Sequence, residues 1–496
     1  MPKVALGVAL FNSAAAASGP SQCQLTPSTK PRVFILSDIA NEPDDAQSFV
    51  RLMVYSHELR LQGLVATTSI WLNDTTRPDQ MHDIIDAYAE ALPNLQAHAS
   101  DWPEPSYLHD LVASSLPVYG MDGVGEGKDS DGSQKLIDAV DAAVAAEEPV
   151  YVPIWGGASV LAQALWNINV TRSPAEIDRF VSAIRAYAIS DQDNTGTWIR
   201  RNWPQMFYIA SVHHFNRYAA ASWAGISGDA YYHFPSEGAN KEVISKEWIR
   251  DNIQSAGPLG SRYPETDFIV EGDTPSLLYL IPNGLSDPEY PEWGSWGGRF
   301  GPVCYGEGHY ADSVDSLISE DGAVTMGSHL TVWRWRDAFQ KDFAARMGWG
   351  VTPEFEKADH APIAAINGDR SRNVIKMTVD AGAKVILDAT DSCDPDGDNK
   401  ELSYKWWQYR EPSSNNNAPW RDVASLELKD ADQAKVEVTI PSHEVLRKVG
   451  RNTHPEADKH LHLILEVSDG KLTSYRRVVF TNVAPEATGQ SEHDEL

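Results

Sequence analysis

Val33-Phe34-Ile35-Leu36-Ser37-Asp38-Ile39-Ala40-Asn41-Glu42-Pro43-Asp44-Asp45 decides how this 496-residue chain is read. An apolar run stops abruptly, and carboxylates follow at positions 38, 42, 44 and 45. Directly after them Ala46, Phe49, Val50, Met53 and Val54 recur at helical spacing. The pattern predicts a buried parallel strand, a loop and the first turn of a helix. Carboxylates crowded at the end of a buried strand repel one another, which costs stability. They are tolerable where a hard cation lies among them or where one keeps its proton. Either arrangement puts chemistry at this loop. For the pair Asp44-Asp45 alone a plainer explanation exists, because acids favour the positive end of a helix dipole.

Strand-like and helical runs alternate outward from this stretch, from Pro31 to about Gly350. Strands are expected at 33–37, 61–68, 150–155, 184–190, 205–211 and 268–270, and helices at 76–91, 134–145 and 159–167. Near-continuous apolar strands separated by helices predict an α/β domain, a mostly parallel sheet with helices on both faces. Such sheets bind ligands beyond the carboxyl ends of their strands. The composition changes after Gly350. A linker at 357–362 leads to short β-runs at 375–379, 384–387, 402–409, 435–440, 461–467 and 475–481. Asp394-Pro395-Asp396-Gly397-Asp398 and Ser468-Asp469-Gly470 read as turns between them. This spacing predicts an immunoglobulin-like β-sandwich with Trp406 or Trp407 as its core aromatic. The expected domains are 31–355 and 362–483.

The formal charge of −29 argues against nucleic acid and anionic membrane as partners. Solubility alone would account for it equally well. Three cysteines, Cys23, Cys304 and Cys393, make neither a zinc pattern nor a disulfide framework, and any one pair is free to bridge. Residues 1–18 read as a signal peptide, an apolar run followed by small residues. Residues 484–496 read as a disordered tail ending in His-Asp-Glu-Leu, an endoplasmic reticulum retrieval signal. The expected location is the secretory pathway, in the endoplasmic reticulum lumen or outside the cell. Asn73-Asp74-Thr75 and Asn169-Val170-Thr171 are N-glycosylation sequons.

The acidic stretch resembles the nucleoside hydrolase signature, an apolar strand followed by D-x-D-P-G-x-D-D. Asp38 and the pair Asp44-Asp45 keep the spacing of its first and last acids, while Ala40 replaces the middle one and Asn41-Glu42 the Pro-Gly step. The I-x-N-E-P-D-D form is similar to a family of cellulose-binding proteins with a nucleoside hydrolase-like first domain and a β-sandwich second domain. Trp155-Gly156-Gly157-Ala158-Ser159-Val160-Leu161-Ala162 looks like the hydrolase segment L-G-P-L-T-N-L-A, with Ser159 in the place of a Thr that offers its carbonyl to calcium. Phe268-Ile269-Val270-Glu271-Gly272-Asp273-Thr274-Pro275 looks like the late H-D-P segment. There Asp273 matches a calcium ligand, and Gly272 stands where the family has a leaving-group His.

The resemblance implies a calcium ion held by Asp38, Asp45, Asp273 and the Ser159 carbonyl. Calcium takes six to eight hard oxygens, which agrees with these donors. Glycosidic bonds break through an oxocarbenium-like transition state that needs an activated water on one face of the sugar. A divalent cation lowers the pKa of water, and Asp44 is assigned as the base that takes its proton. Asn41, Glu42, Asp191, Gln192, Asp193 and Trp198 are expected to bind the substrate. So are Trp293 and Trp296 of a Gly- and Trp-rich loop, because exposed Trp rings suit sugar faces. Two functions remain open. One is a calcium-dependent hydrolase of an N- or O-glycoside, a furanoside or polysaccharide fragment. The other is a carbohydrate-binding protein without catalysis.

Overall fold

A computed structural model describes residues 23–212, 215–236, 238–304, 306–318, 324–397, 401–413, 423–450 and 460–482. The expected leader, 1–18, and tail, 484–496, lie outside them. The opening apolar run forms strand β1, Arg32–Ser37. Val33 and Ile35 enter one hydrophobic core, Phe34 and Leu36 a second. Successive side chains of a strand point to opposite faces. A strand covered on both faces has no polar position left, so its sequence is continuously apolar.

The strands β2 (Arg60–Ala66), β3 (Val112–Ser114), β4 (Val150–Ile154), β5 (Ile184–Ala188) and β6 (Phe207–Ala210) join β1 in one sheet with β7 (Phe300–Pro302) and β8 (His309–Asp312). Their order is β3-β2-β1-β4-β5-β6-β8-β7, and every neighbouring pair is parallel except β7–β8. Helices α1 (Pro43–Tyr55) and α2 (Pro78–His98) pack on one face, after which come α3 (Pro105–Leu111) and α4 (Asp131–Ala146). α4 and α5 (Ser159–Thr171) cover the opposite face. The chain builds outward from β1 in one direction, then returns to place β4 on the other side of β1. Helices α1 and α5 therefore diverge from one crevice at the carboxyl ends of β1 and β4. In open α/β sheets this reversal point is where ligands bind.

Residues 268–270 do not form the expected strand. Phe268 and Glu271 take φ values of 58° and 49°, left-handed backbone that ends any extended run. The short strands β3, β7 and β8 were not expected, since three or four residues show no periodicity. Helix α2 runs past position 91 because its apolar stripe continues through Leu92 and Leu95.

A separate hairpin pairs β9 (Asp315–Ile318) with β10 (Val324–Gly327). Beyond it, β11 (Ile375–Val379), β13 (Ser403–Tyr409), β16 (His460–Ser468) and β17 (Thr473–Asn482) form one sheet. The strands β12 (Lys384–Asp388), β14 (Glu427–Lys429) and β15 (Lys435–Thr439) form another. Leu387, Val436 and Val438 of the second meet Trp406, Leu463, Leu465 and Phe480 of the first in a shared core. This is the expected sandwich, with Trp406 as its core aromatic. Trp407 faces the first domain, 5.9 Å from the Trp335 ring.

Asp315 binds the domains together. It accepts from Arg299 at 2.7 Å, Arg334 at 2.6 Å and the Tyr409 hydroxyl at 2.6 Å. Arg477 of β17 donates to the carbonyls of Trp293 and Gly294 at 2.8 and 2.6 Å. Cys23 and Cys393 form a disulfide, and Cys304 is free and exposed. Among the described residues no helix is long and apolar enough to cross a membrane.

One buried ion pair positions the site. Arg51 of α1 meets Glu271, 220 residues away, at 2.5 and 3.0 Å. Its third donor group reaches the Phe339 carbonyl at 3.0 Å, and its guanidinium lies 3.9 Å from the Phe343 ring centre. Glu271 also accepts from the Tyr263 and Thr274 hydroxyls at 2.8 and 2.7 Å. Replacing Arg51 by Met leaves this carboxylate buried without its cation, at a cost on the order of 3–5 kcal/mol. The expected outcome is a clear fall in melting temperature for Arg51→Met, largely recovered in the double variant Arg51→Met/Glu271→Gln. A wild-type melting temperature for the single variant would refute the role of the pair.

Candidate functional site

Asp38 is the first residue beyond β1. The chain turns there, with the Asn41 N–H donating to the Asp38 carbonyl at 3.3 Å. Ala40 takes a φ of 81°, a strained conformation for a residue with a Cβ. Pro43 occupies the first helical position, which its fixed φ suits, so Asp44 and Asp45 fall in the first turn of α1. Helix capping accounts for little of this acidity. Only Asp44 touches a helix N–H, that of Asp45, at 3.2 Å, and the Asp45 carboxylate instead accepts from the Ser37 hydroxyl at 2.5 Å.

Asp44, Asp45 and Asp273 each bring a carboxylate oxygen within 4.8 Å of the others. All three are buried, and the Asp273 Oδ2 has no hydrogen-bond partner. An orphaned buried carboxylate oxygen is costly. A hard cation satisfies such oxygens, and this donor set fits calcium by its chemistry. Asp38 is buried alongside and hydrogen-bonded to the side chains of Ser69 and Asp45. The four acids thus converge, but the tight group of three contains Asp44, whereas the sequence reading placed Asp38 among the ligands and left Asp44 outside. Ser159, the first residue of α5, is buried on the same edge, its hydroxyl 3.2 Å from that of Thr67. Just before it, Gly156 lets the chain close on Asp38, since a Cβ there would lie 2.8 Å from the Asp38 Cβ.

The family model for the nucleoside hydrolase-like domain of cellulose-binding Sde182 matches residues 32–300. That for the C-terminal domain of the cellulose-binding protein Sde0182 matches residues 384–482. The chain belongs to the Sde182 family. A solved nucleoside hydrolase-related hypothetical protein from Saccharophagus degradans, associated with carbohydrate metabolism, is 32% identical, with a TM-score of 0.73 over 92% of this chain and 100% of that one. The effector protein XOO4466 is 10% identical with a TM-score of 0.30, over 66% of this chain and 94% of its own, which carries no argument. No curated protein matches the chain significantly.

Within this Sde182 family member the other expected ligand residues part company. Asn41 and Glu42 lie half-buried on the acidic loop. Asp193 is buried, with one oxygen accepting from the Thr195 N–H at 2.8 Å and the other unpartnered. Asp191 is taken up by a two-pronged pair with Arg200 at 2.8 and 2.5 Å. Gln192 is buried, its side chain on the Trp155 carbonyl and its own carbonyl accepting from the Ile70 N–H at 2.7 Å. Trp198 packs edge-on against Trp203 at 5.2 Å.

Trp293 and Trp296 require correction as sugar platforms. They are 3% and 4% exposed, so neither ring has a face for a ligand. Trp293 stacks on Tyr290 at 4.1 Å and Trp296 packs against Phe339, both beside the contacts that join the domains. Three aromatics that the sequence did not signal stand near the acids instead. Tyr218 and Tyr232 feel the charge of Asp44, and the Trp223 ring lies where a Cβ on Gly272 would touch it at 3.2 Å. They come from a region of short turns, 215–232, without periodicity. The same Cβ would lie 2.7 Å from the Asp44 Oδ2, so this position has no room for a His while Asp44 stays in place.

Burial pushes Asp44 up to about 7, helped by Glu42 and Asp38, and pushes Asp38 up to about 6 against the pull of its bond to Ser69. Burial and the neighbouring acids hold Asp45 and Asp273 well above the usual carboxylate range. A raised folded-state pKa gives stability that is full below the unfolded value, near 3.8, and lost as pH rises through 6 to 7. Without divalent cation, the melting temperature is expected to fall between pH 5 and pH 8 more steeply than in Asp44→Asn. Calcium at 100 times its dissociation constant is expected to add about 2.7 kcal/mol, chiefly at the upper end of that range. Thermal melts with EDTA and with calcium check both, and a calcium effect equal at pH 5 and pH 8 would contradict this account.

Proposed function

We propose that this Sde182 family member hydrolyses a glycosidic bond, with its acidic cluster holding a calcium ion. The observation that carries the proposal is the convergence of Asp38, Asp44, Asp45 and Asp273 at the β1/β4 reversal point, with the Asp273 Oδ2 orphaned. Calcium supplies a lowered water pKa and a hold on sugar hydroxyls when bound. Asp45 and Asp273 of the close group would hold the ion, with Asp38 beside them and Ser159 buried on the same edge. Asp44 is the most exposed of the four acids and keeps an oxygen for the water proton. Burial and the neighbouring acids push its carboxyl up without the ion, and a bound cation would bring it down into the ionised form that accepts a proton. The cluster's negative charge favours the positive character that develops on the sugar in the transition state. Asn41 and Glu42 orient sugar hydroxyls from the rim. The substrate is a furanoside or polysaccharide fragment rather than a free nucleoside, because Gly272 offers no leaving-group acid. The disulfide Cys23–Cys393 supports a secretory-pathway setting, in the endoplasmic reticulum lumen or outside the cell.

A second reading, carbohydrate binding without catalysis, is favoured by the family's cellulose-binding description and by the closed position at Gly272. Assays of furanosides, nucleosides and cello-oligosaccharides, with calcium and with EDTA, separate the two. The expected result is calcium-dependent turnover that falls about 10²- to 10⁴-fold in Asp44→Asn. No product under any metal condition, with cellulose pull-down intact, would replace the enzyme reading by the binding one.

A further inference from the structure

The chain carries a formal charge of −29, yet one cavity of about 480 Å³ gathers five of its cations. Lys30, Arg32, Arg60, Arg372 and Lys376 line it, against two carboxylates, Glu148 and Asp287. Arg32 and Arg60 open β1 and β2, so the cavity lies at the amino ends of the strands. The rise of β1 puts Arg32 about 20 Å from Asp38. Arg372 and Lys376 come from the second domain, and residues 28–31 from the arm before β1, so both domains build the walls. The arm is held by the Cys23–Cys393 disulfide and by the Thr26 N–H, which donates to the Arg370 carbonyl at 3.3 Å.

The cations of this cavity are unevenly paired. Arg32 and Arg60 donate to a single oxygen, Glu148 Oε2, at 2.5 and 2.9 Å. Hydrogen bonds from Arg60 and Arg32 hold the Glu148 carboxyl down at about 2. Arg372 shares Glu58 Oε1 with Arg346, at 2.7 and 2.8 Å. Two carboxylates thus serve four guanidiniums, of which Arg346 also holds Asp342 at 2.8 Å. Lys30 and Lys376 each have one carboxylate, Asp101 at 3.0 Å and Asp287 at 3.1 Å. A guanidinium carries five N–H donors. Among the described residues, Nη2 of Arg32, Nη2 of Arg60, and Nε and Nη2 of Arg372 meet no acceptor. Tyr151, Leu280, Pro282, Pro288 and Val374 make much of the remaining lining apolar.

We infer that this cavity binds a small organic anion, with a phosphate or carboxylate on Arg32, Arg60 and Arg372 and an apolar body against Tyr151 and Leu280. Guanidinium forks match the oxygens of either group. The volume falls within the range of small-molecule sites, about 300–1,000 Å³. A bare inorganic ion would leave the apolar lining unused. The ligand would touch both domains and so tie them together. The inference goes beyond the function proposed above, and the cavity shares no lining residue with the acidic cluster.

The test is calorimetric titration of the full-length protein with phenyl phosphate and with benzoate, beside neutral benzyl alcohol. At least one anion is expected to bind at least about tenfold more tightly than the alcohol, and which one does so names the charged group. Arg32→Gln and Arg372→Gln are each expected to weaken that binding about tenfold, as loss of a charge-assisted hydrogen bond does. Arg60 stays on Glu148 in the first variant and Arg346 on Glu58 in the second, so neither strands a carboxylate. Arg172→Gln removes the same charge from a pair with Asp141 outside the cavity, and is expected to bind as wild type. Where melting shows that an arginine variant has lost its fold, Lys376→Gln, at a half-exposed side chain, decides by an about threefold loss. No binding of either anion, equal binding of the alcohol, wild-type affinity in the cavity variants, or an equal loss in Arg172→Gln would each overturn the inference.

Discussion

Everything at the acidic edge depends on the ion pair between Arg51 and Glu271. Asp38, Asp44 and Asp45 lie within eight residues of one another, and any strand–loop–helix unit would bring them together. Asp273 comes from a loop on the far side of the sequence, and mutual repulsion opposes its approach. Arg51 sits two helical turns beyond Asp44 on α1 and grips Glu271, two residues before Asp273. The attraction of one buried pair offsets the repulsion of a buried cluster. Such a pair adds little net stability against an apolar substitute. Its value here is positional, because an apolar contact would not hold the loop at the positive φ that Glu271 adopts.

The first part of this arrangement was legible in the sequence for a clear reason. Between Leu36 and Phe49 the apolar period changes from continuous to helical, and the intervening residues are acids with a Pro at the helix start. Strand, turn and helix follow from that alone. Ser159 and Asp273 were found through segments resembling the hydrolase pattern, not through periodicity. The errors share a different cause. At 268–270 three apolar residues suggested a strand, but the apolar character of Phe268 reflects an exposed ring on a left-handed turn. The Gly- and Trp-rich stretch at 291–300 suggests a sugar platform because exposed Trp rings suit sugar faces. That loop instead accepts Arg477 from β17 and lies under the sandwich. No local pattern announces that a second domain will cover a loop.

The second domain therefore acts on the first through burial. Asp315, buried with Arg299, Arg334 and Tyr409 around it, is held below the usual carboxylate range because the two guanidiniums outweigh the effect of burial. That contrasts with the functional edge, where burial and like charge act in the same direction and push every acid up. One chain thus buries carboxylates in two ways. At the domain contact each is neutralised by cations of the protein itself. At the β1/β4 crevice the influences on the acids are burial, hydrogen bonds and one another, and among the described residues the nearby Arg51 is paired with Glu271.

This difference bears on what the edge selects. Four buried acids crowded in one crevice attract divalent cations and repel anions, over a distance of about 8 Å at physiological salt. Phosphorylated nucleotides and acidic polysaccharides meet that field as a barrier, whereas neutral glycans do not. Gly272 sharpens the choice from within. A Cβ there would meet Asp44 and Trp223, and as a glycine the position has no side chain to protonate a departing base. What the crevice retains is a set of carboxylate oxygens, which under the proposed function take a cation and sugar hydroxyls. Under that proposal the site recognises the sugar rather than the group attached to it.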